Sequence, residues 1–243
     1  MITFTASENE DIYPYVCTYP GHGFVMYGTL YVTDTPGELP PLAEDPNIPE
    51  SAREDMADTG SLHPYTMEMP QIHRLFMPDA SPAAIAVGME NDISNCWDAG
   101  YCYLRYAWYG GYVDPTEQWT DKAHELADME GTIFYRNKNG FPLRIAEREM
   151  EVSPDFEGYE LIENYPRFIY TLGQITVHEL VKPLENGTGF TINYQLRNVK
   201  EPVWYTGASE VSAEVTASDG RWQGEYLRLS PDEASNFTIT VKK

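Results

Sequence analysis

Short runs of apolar and aromatic residues, separated by Gly, Pro, Asn and Asp, recur along the chain from about residue 62 to its end. Such spacing is typical of an antiparallel β-sandwich, because frequent turn residues leave room only for short extended segments. A helical period appears only at 120–129 and 231–235. The predicted strands are 84–88, 104–109, 132–135, 143–145, 167–172, 175–181, 189–197, 211–217 and 237–241.

A change in composition separates this region from the start of the chain. The segment 34–61 is rich in Pro and acidic residues and poor in large apolar ones, which is typical of an extended, solvent-exposed connector. We therefore expect residues 1–33 to form one part, 34–61 a linker and 62–243 an antiparallel β-sandwich domain. Within that domain, Asn186-Gly187 between two apolar runs predicts a hairpin turn.

Residues 1–33 carry three side chains on one short loop that suit a copper ion. Cys17, His22 and Met26 follow one another at offsets of five and four residues, and Pro20-Gly21 supplies a turn between the thiol and the imidazole. A type 1 copper site takes one Cys and two His in a plane, with a weak axial Met. Three of these four ligands are present in this segment.

The run from Tyr13 to Leu30, which contains Tyr-Val-Cys-Thr-Tyr-Pro-Gly-His-Gly-Phe-Val-Met, resembles the last two strands of an azurin- or plastocyanin-like cupredoxin. The resemblance implies that Cys17, His22 and Met26 are copper ligands. It also implies electron transfer with a partner such as a cytochrome c or a dehydrogenase, in the periplasm or outside the cell. The final strands of the Greek-key barrel are then 2–6, 13–17 and 28–33.

The copper site is incomplete in this chain. Cupredoxins take a further His from a strand upstream of the Cys, and no His precedes Cys17 here. We therefore expect the chain to be the carboxyl-terminal part of a longer secreted protein, or the product of an internal start, although no signal peptide opens it. His63 and His73 follow the loop, and their spacing identifies neither as the missing ligand.

The region 62–243 also carries a resemblance to other proteins. The stretches 76–87, 102–114 and 140–144 resemble an uncharacterised module of secreted bacterial multidomain proteins, in which cupredoxin, cytochrome c and sugar-dehydrogenase domains are joined. The resemblance covers about residues 70–200. It implies a cellular context and transfers no catalytic residue.

This module contains a cluster of aromatic and polar residues that suits a sugar ligand. Aromatic faces and fork-shaped polar groups fit carbohydrate, and two carboxylates flanking a glycosidic bond are what glycoside hydrolysis needs, for which Asp98, Asp114 and Glu117 are candidates. The simpler interpretation is that Trp and Tyr alternating along 101–112 form the core, with Arg105 paired to a carboxylate. The residues of the predicted pocket are Trp97, Asp98, Arg105, Trp108 and Asp114.

Cys96 and Cys102 remain once Cys17 is assigned to copper. The turn residues of Asp98-Ala-Gly100 lie between them, and export exposes a protein to oxidising conditions, so we expect a short-loop disulfide. The alternatives are a metal clip and two reduced thiols in a buried strand.

Charge and motifs exclude several classes of function. The chain has 16 Lys and Arg against 38 Asp and Glu, a net charge of −22 that repels nucleic acid and anionic membranes. No apolar run approaches the roughly twenty residues of a membrane span, and no nucleophile elbow, phosphate loop, dinucleotide fingerprint or zinc-protease helix is present. Two functions stay open: a blue-copper electron-transfer protein or its truncated remnant, and a secreted carbohydrate-binding or carbohydrate-active β-sandwich with a vestigial copper loop.

Overall fold

The computed structural model describes residues 10–16, 27–39, 69–115, 118, 126–211 and 213–243. The chain divides into two compact units: Met1–Met67 with Pro115–Ala127, and Glu68–Asp114 with Asp128–Lys243. The described residues form mainly antiparallel β-sheets, which confirms the all-β prediction. Of these residues, no helix has the length and apolarity that crossing a membrane requires. The finer division into cupredoxin strands and a sandwich domain stays a prediction.

Among its described residues, the smaller unit contains one hairpin, formed by β1 (Asp11–Val16) and β2 (Tyr27–Val32). The strands pair antiparallel from Asp11↔Val32 to Val16↔Tyr27. Beyond β2, the Thr33 hydroxyl and the Asp34 N–H both donate to the Glu10 carboxylate, each at 3.1 Å, and a 3-10 turn follows at Pro36–Glu38. The predicted strands at 13–17 and 28–33 are therefore found, whereas the strand at 2–6 lies outside the described residues.

The larger unit contains seventeen strands and one short helix among its described residues. Its helix α1 (Pro231–Ala234) has a capping box, in which Ser230 and Glu233 each satisfy the other's backbone N–H. The strands are β3 (Gln71–Arg74), β4 (Ala84–Gly88), β5 (Ile93–Asp98), β6 (Tyr103–Tyr109), β7 (Val113–Asp114), β8 (Asp128–Met129), β9 (Thr132–Arg136), β10 (Leu143–Ile145), β11 (Asp155–Ile162), β12 (Tyr165–Leu172), β13 (Ile175–Pro183), β14 (Gly189–Arg197), β15 (Val203–Tyr205), β16 (Glu214–Ala217), β17 (Arg221–Gln223), β18 (Tyr226–Leu229) and β19 (Asn236–Lys242).

These strands form antiparallel sheets of five, six and four strands, together with a small β7–β8 ribbon. The orders are β3-β4-β5-β6-β9, β11-β12-β13-β14-β19-β16 and β10-β15-β18-β17. All nine predicted strands between residues 84 and 241 are present; three have the predicted ends and six have shifted ends. The hairpin at Asn186-Gly187 is confirmed: Gly187 has φ +67°, and Leu184 N–H donates to the Gly189 carbonyl at 2.8 Å.

One helix prediction needs correction. The period at 120–129 indicates a helix, but Asp128–Met129 is strand β8, paired with Val113–Asp114. Residues 119–125 lie outside the described part of the chain. Pairing with β7 therefore overrides the local helical pattern at least at its carboxyl end.

Aromatic side chains join the five-stranded sheet to the six-stranded sheet. Trp97 of β5 stacks on Phe168 of β12, with ring centroids 3.9 Å apart and planes at 4°. Phe134 and Tyr135 of β9 meet Phe190 of β14 edge-on, at 5.8 and 5.6 Å. Because offset-stacked and edge-on pairs are favourable beyond their apolar burial, these contacts fix how the two sheets face each other.

The four-stranded sheet covers a further part of the same six-stranded face. Tyr205 of β15 lies 5.8 Å from Tyr194 of β14, and Tyr194 stacks on Phe237 of β19 at 5.0 Å between ring centroids. Along β14, Phe190, Ile192, Tyr194 and Leu196 are all buried while the residues between them are partly exposed. One face of the six-stranded sheet is thus the core.

A carboxyl group lies inside this core. Glu179 of β13 is fully buried, and its two oxygens accept hydrogen bonds from Trp97 Nε1 and from the Tyr170 hydroxyl, each at 3.0 Å. Burial raises the pKa of Glu179 to about 7, against the lowering effect of these two hydrogen bonds. The effect of desolvation on the pKa therefore outweighs that of hydrogen bonding, and the Glu179 carboxyl group is mostly protonated below pH 7.

We expect this carboxyl group to make the protein less stable as the pH rises. A folded-state pKa of about 7 above the ordinary 4.5 means that its contribution is fully present below pH 4.5 and is lost as the pH rises through 7. The loss amounts to about 3 kcal/mol at 1.36 kcal/mol per pKa unit. Glu179→Gln, which is neutral at every pH, should remove this loss when urea unfolding is measured at pH 5 and pH 8.

Glu233→Gln is the matched control for that experiment. The hydrogen bonds from Ser230 lower the pKa of this exposed carboxyl group, so its contribution is lost as the pH falls and not between pH 5 and 8. The control should keep the wild-type pH dependence over that range. An equal fall in unfolding free energy in wild type and Glu179→Gln would show that Glu179 does not carry the effect.

Candidate functional site

The predicted copper loop joins the two strands of the small hairpin. The ladder ends at the pair Val16↔Tyr27, and the connecting residues 17–26 contain Cys17, His22 and Met26. These three residues lie outside the described part of the chain. Within the part that is described, no group of three or more His, Cys, Asp or Glu residues is placed to hold a metal ion.

His73, one of the two histidines that follow the loop, belongs to the fold of the larger unit. Its ring is buried on β3, and its Nδ1 lies 3.0 Å from the Tyr112 hydroxyl, which donates to the Ala86 carbonyl at 3.0 Å. The imidazole therefore helps to fix the edge of the five-stranded sheet. His63 lies outside the described residues.

The five residues of the predicted ligand pocket occupy different environments. Trp97 and Trp108 are both fully buried; Trp97 is in the core between sheets, and the Trp108 indole N–H donates to the Tyr112 carbonyl at 3.0 Å. Asp114 lies on the β7–β8 ribbon. Only Asp98 and Arg105 come together, with Arg105 Nε 3.7 Å from Asp98 Oδ2. The interpretation of the tryptophans as core residues matches their burial.

Asp98 organises the turn between β5 and β6. Its carboxylate is buried and accepts hydrogen bonds from the Ser81 N–H at 2.9 Å, from the Ser81 hydroxyl at 2.5 Å and from the Gly100 N–H at 3.0 Å. Charged acceptors make strong hydrogen bonds to backbone donors. Asp98 therefore holds the turn in a shape that leaves Tyr101 55% exposed.

Arg105 is fixed beside that turn by several contacts at once. Its Nε donates to the Asp79 carbonyl at 2.9 Å, and its guanidinium also bonds the Tyr103 hydroxyl. The guanidinium lies 5.6 Å from the ring centroid of Tyr101 and 5.2 Å from that of Tyr103, within cation–π range. Burial raises the pKa of Tyr103, so its phenol stays protonated. The result is a positioned cation flanked by aromatic rings.

Two adjoining cavities open around Arg105. The larger has a volume of about 610 Å³, and the smaller about 200 Å³. Tyr103, Arg105 and Gly140 line both, so we treat them as one groove, called here the Arg105 groove. Its larger end is lined by Tyr101, Phe141 and Glu151, and its smaller end by Asp79, Arg136, Lys138 and Glu210.

Most of these lining residues were missed by the sequence interpretation. Tyr101 and Tyr103 flank Cys102, and the short spacing between Cys96 and Cys102 indicates a disulfide and not a binding site. Arg136 and Lys138 sit two residues apart where β9 ends, a spacing that places side chains on the same side of an extended chain. That i, i+2 pair of cations in a strongly acidic chain is the signal that would have found the smaller end.

The predicted disulfide is not present, because Cys96 and Cys102 are both free and buried. Cys102 belongs to the core cluster with Trp97, and its thiol points to the Ala99 carbonyl at 3.8 Å. Cys96 precedes Trp97 on β5 and lies beside the Tyr106 phenol. Successive strand residues point to opposite faces, so the two thiols lie on opposite sides of the sheet. Burial raises the pKa of each to about 12.

We expect both thiols to be almost unreactive in the folded protein. A pKa of about 12 against the ordinary 9.0 lowers the thiolate fraction by about three orders of magnitude, before burial restricts access further. In a Cys17→Ser variant at pH 8, a thiol-specific reagent should therefore react at least about 1000-fold more slowly than in denaturant. Rapid labelling of the folded variant, or a bridge between Cys96 and Cys102 in its non-reduced mass spectrum, would contradict this.

No family model, curated protein or solved structure matches the chain. Its function is therefore inferred from its own residues and geometry. Two regions carry chemistry that the fold alone does not require: the loop between β1 and β2, and the Arg105 groove.

Proposed function

We propose that this chain is a copper-binding electron-transfer protein of the blue-copper type, with the larger unit as an appended β-sandwich module. The observation that carries the proposal is that Cys17, His22 and Met26, at cupredoxin spacing, all fall between the two strands of one antiparallel hairpin. A redox partner such as a cytochrome c or a dehydrogenase, outside the cytoplasm, goes with this function.

The donor set itself fits copper. A thiolate, an imidazole and a thioether are ligands that suit copper in both of its common oxidation states. Cys17, His22 and Met26 would hold the ion, and copper would supply reversible exchange of one electron. The ladder from Asp11↔Val32 to Val16↔Tyr27 would fix the two ends of the loop.

We expect the chain to bind copper through Cys17 while showing little blue colour. The intense visible band of type 1 sites comes from a Cys–Cu(II) bond in a plane completed by two His, and this loop supplies one. After loading and dialysis, elemental analysis should find copper in the wild type and much less in Cys17→Ser. Cys102→Ser, which removes a buried thiol outside the loop, is the matched control.

Two results would count against that expectation. Equal copper contents in wild type and Cys17→Ser would remove Cys17 from the site. A strong, stable blue band would instead show that another residue completes the ligand plane, with His63 and His73 as the first candidates for substitution.

A second candidate function is carbohydrate binding by the larger unit, and the Arg105 groove favours it. Ligand sites are concave and mostly apolar with a few placed polar groups. Here Tyr101, Tyr103 and Phe141 offer rings on which the apolar faces of sugars pack, and Arg105 offers N–H donors for hydroxyl groups. Because the two cavities share lining residues, a segment of a saccharide chain can occupy both.

We expect Tyr101→Ala to weaken oligosaccharide binding about tenfold, the upper end of what one aromatic contact contributes. The Tyr101 side chain is exposed and lies against the Arg105 guanidinium, so its loss should not unfold the chain. Affinity electrophoresis through gels containing polysaccharides measures the change. Trp222→Ala, at another exposed aromatic residue, is the control. Equal retardation of wild type and Tyr101→Ala would exclude the groove as the site.

A further inference from the structure

We infer that the Arg105 groove takes an acidic oligosaccharide, whose carboxylate groups bind at the smaller end of the groove; this rests on the carbohydrate-binding candidate above. The larger and smaller cavities share Tyr103, Arg105 and Gly140. One ligand can therefore span both, with sugar rings at the aromatic end and a charged group at the other.

The smaller end concentrates positive charge in an acidic protein. Arg105, Arg136 and Lys138 line it, three of the 16 cationic residues of a chain whose net charge is −22. Asp79 and Glu210 are the acidic side chains in the same lining, and Asp98 and Glu225, outside the lining, pair with Arg105 and Lys138. The larger end has Arg105 as its one cation and Glu151 as an acid. The smaller end therefore offers an anionic group more cationic partners than the larger end does.

The ion pairs at the smaller end are easily exchanged for a ligand. Arg136 Nη1 lies 3.0 Å from Asp79 Oδ2, but the Asp79 side chain is 70% exposed. Lys138 Nζ lies 2.9 Å from Glu225 Oε1, with side chains 48% and 56% exposed. Exposed ion pairs of this kind contribute little, because water competes for both partners. A ligand carboxylate can replace Asp79 or Glu225 at small cost.

The guanidinium groups stay in place without those carboxylates. Arg136 lies over the ring of Tyr106, 5.0 Å from its centroid, and Tyr106 is in turn fixed by its hydroxyl, which donates to the Pro78 carbonyl at 2.7 Å. Arg105 is held by the Asp79 carbonyl, not by the Asp79 carboxylate. Two positioned guanidinium groups are suited to carboxylates, which they bind through paired N–H donors. A chain of hexuronate residues carries one such carboxylate on each sugar ring.

The test compares an oligogalacturonate with its methyl ester of the same length, since the ester keeps the sugar chain and removes the charge. Binding is measured by calorimetric titration at about 0.15 M salt. This salt concentration screens the net charge of the protein beyond about 8 Å but has little effect on charge interactions at contact distance. The wild type should bind the acid at least about tenfold more tightly than the ester, as expected for a charge-assisted contact. Arg136→Gln with Lys138→Gln should remove most of this preference, with the affinity for the acid falling and the affinity for the ester changing far less.

Lys182→Gln is the matched control, because Lys182 pairs with an exposed acid, Glu163, outside the groove lining. Circular dichroism checks that the double variant is folded, and Lys138→Glu alone, at a half-exposed residue, provides a second variant that should bind the acid more weakly than the wild type.

Equal affinity for acid and ester would overturn the inference and leave carbohydrate binding standing. A preference that survives both variants would overturn it as well, and no binding of either sugar would remove the carbohydrate candidate itself.

Discussion

The carboxyl group of Glu179, buried between Trp97 and Tyr170, is the interaction on which the packing of the larger unit depends. It connects β5 of one sheet to β12 and β13 of the other through two hydrogen bonds of 3.0 Å. The same Trp97 ring stacks on Phe168 at 3.9 Å, so polar and apolar contacts fix one indole from two directions. Losing either hydrogen-bond partner would leave a buried polar group unpaired, which costs more than the bond itself contributes.

The position of Trp97 also determines where the groove opens. Because successive strand residues point to opposite faces, an inward Trp97 directs the next residue, Asp98, to the other side of β5. There Asp98 binds Ser81 and Gly100 and shapes the turn that exposes Tyr101 and places Arg105. A core contact thus positions a candidate binding surface on the far side of the same sheet. The loop that we propose binds copper belongs to the smaller unit, between β1 and β2.

Much of the strand layout could be predicted because short apolar runs and turn residues are local features of the sequence. The strand at 84–88 and the turn at Asn186-Gly187 are examples. β11 was missed because its acidic residues and its central Gly158 hide the alternation. Glu179 was missed because acidic residues are seldom fully buried, and its burial depends on hydrogen bonds from Trp97 on β5 of the facing sheet and from Tyr170 on the neighbouring β12. The disulfide prediction was wrong for a similar reason, since spacing does not reveal on which side of the sheet each thiol lies.

The most direct test of this account is a pH titration of Glu179 followed by the NMR chemical shift of its side-chain carboxyl carbon, assigned with Glu179→Gln. The account predicts a midpoint near pH 7 and a shift of the Trp97 Nε1–H resonance with the same midpoint, because that N–H donates to the titrating carboxyl group. A midpoint near the ordinary value of 4.5, or a Trp97 resonance that does not follow the titration, would contradict it.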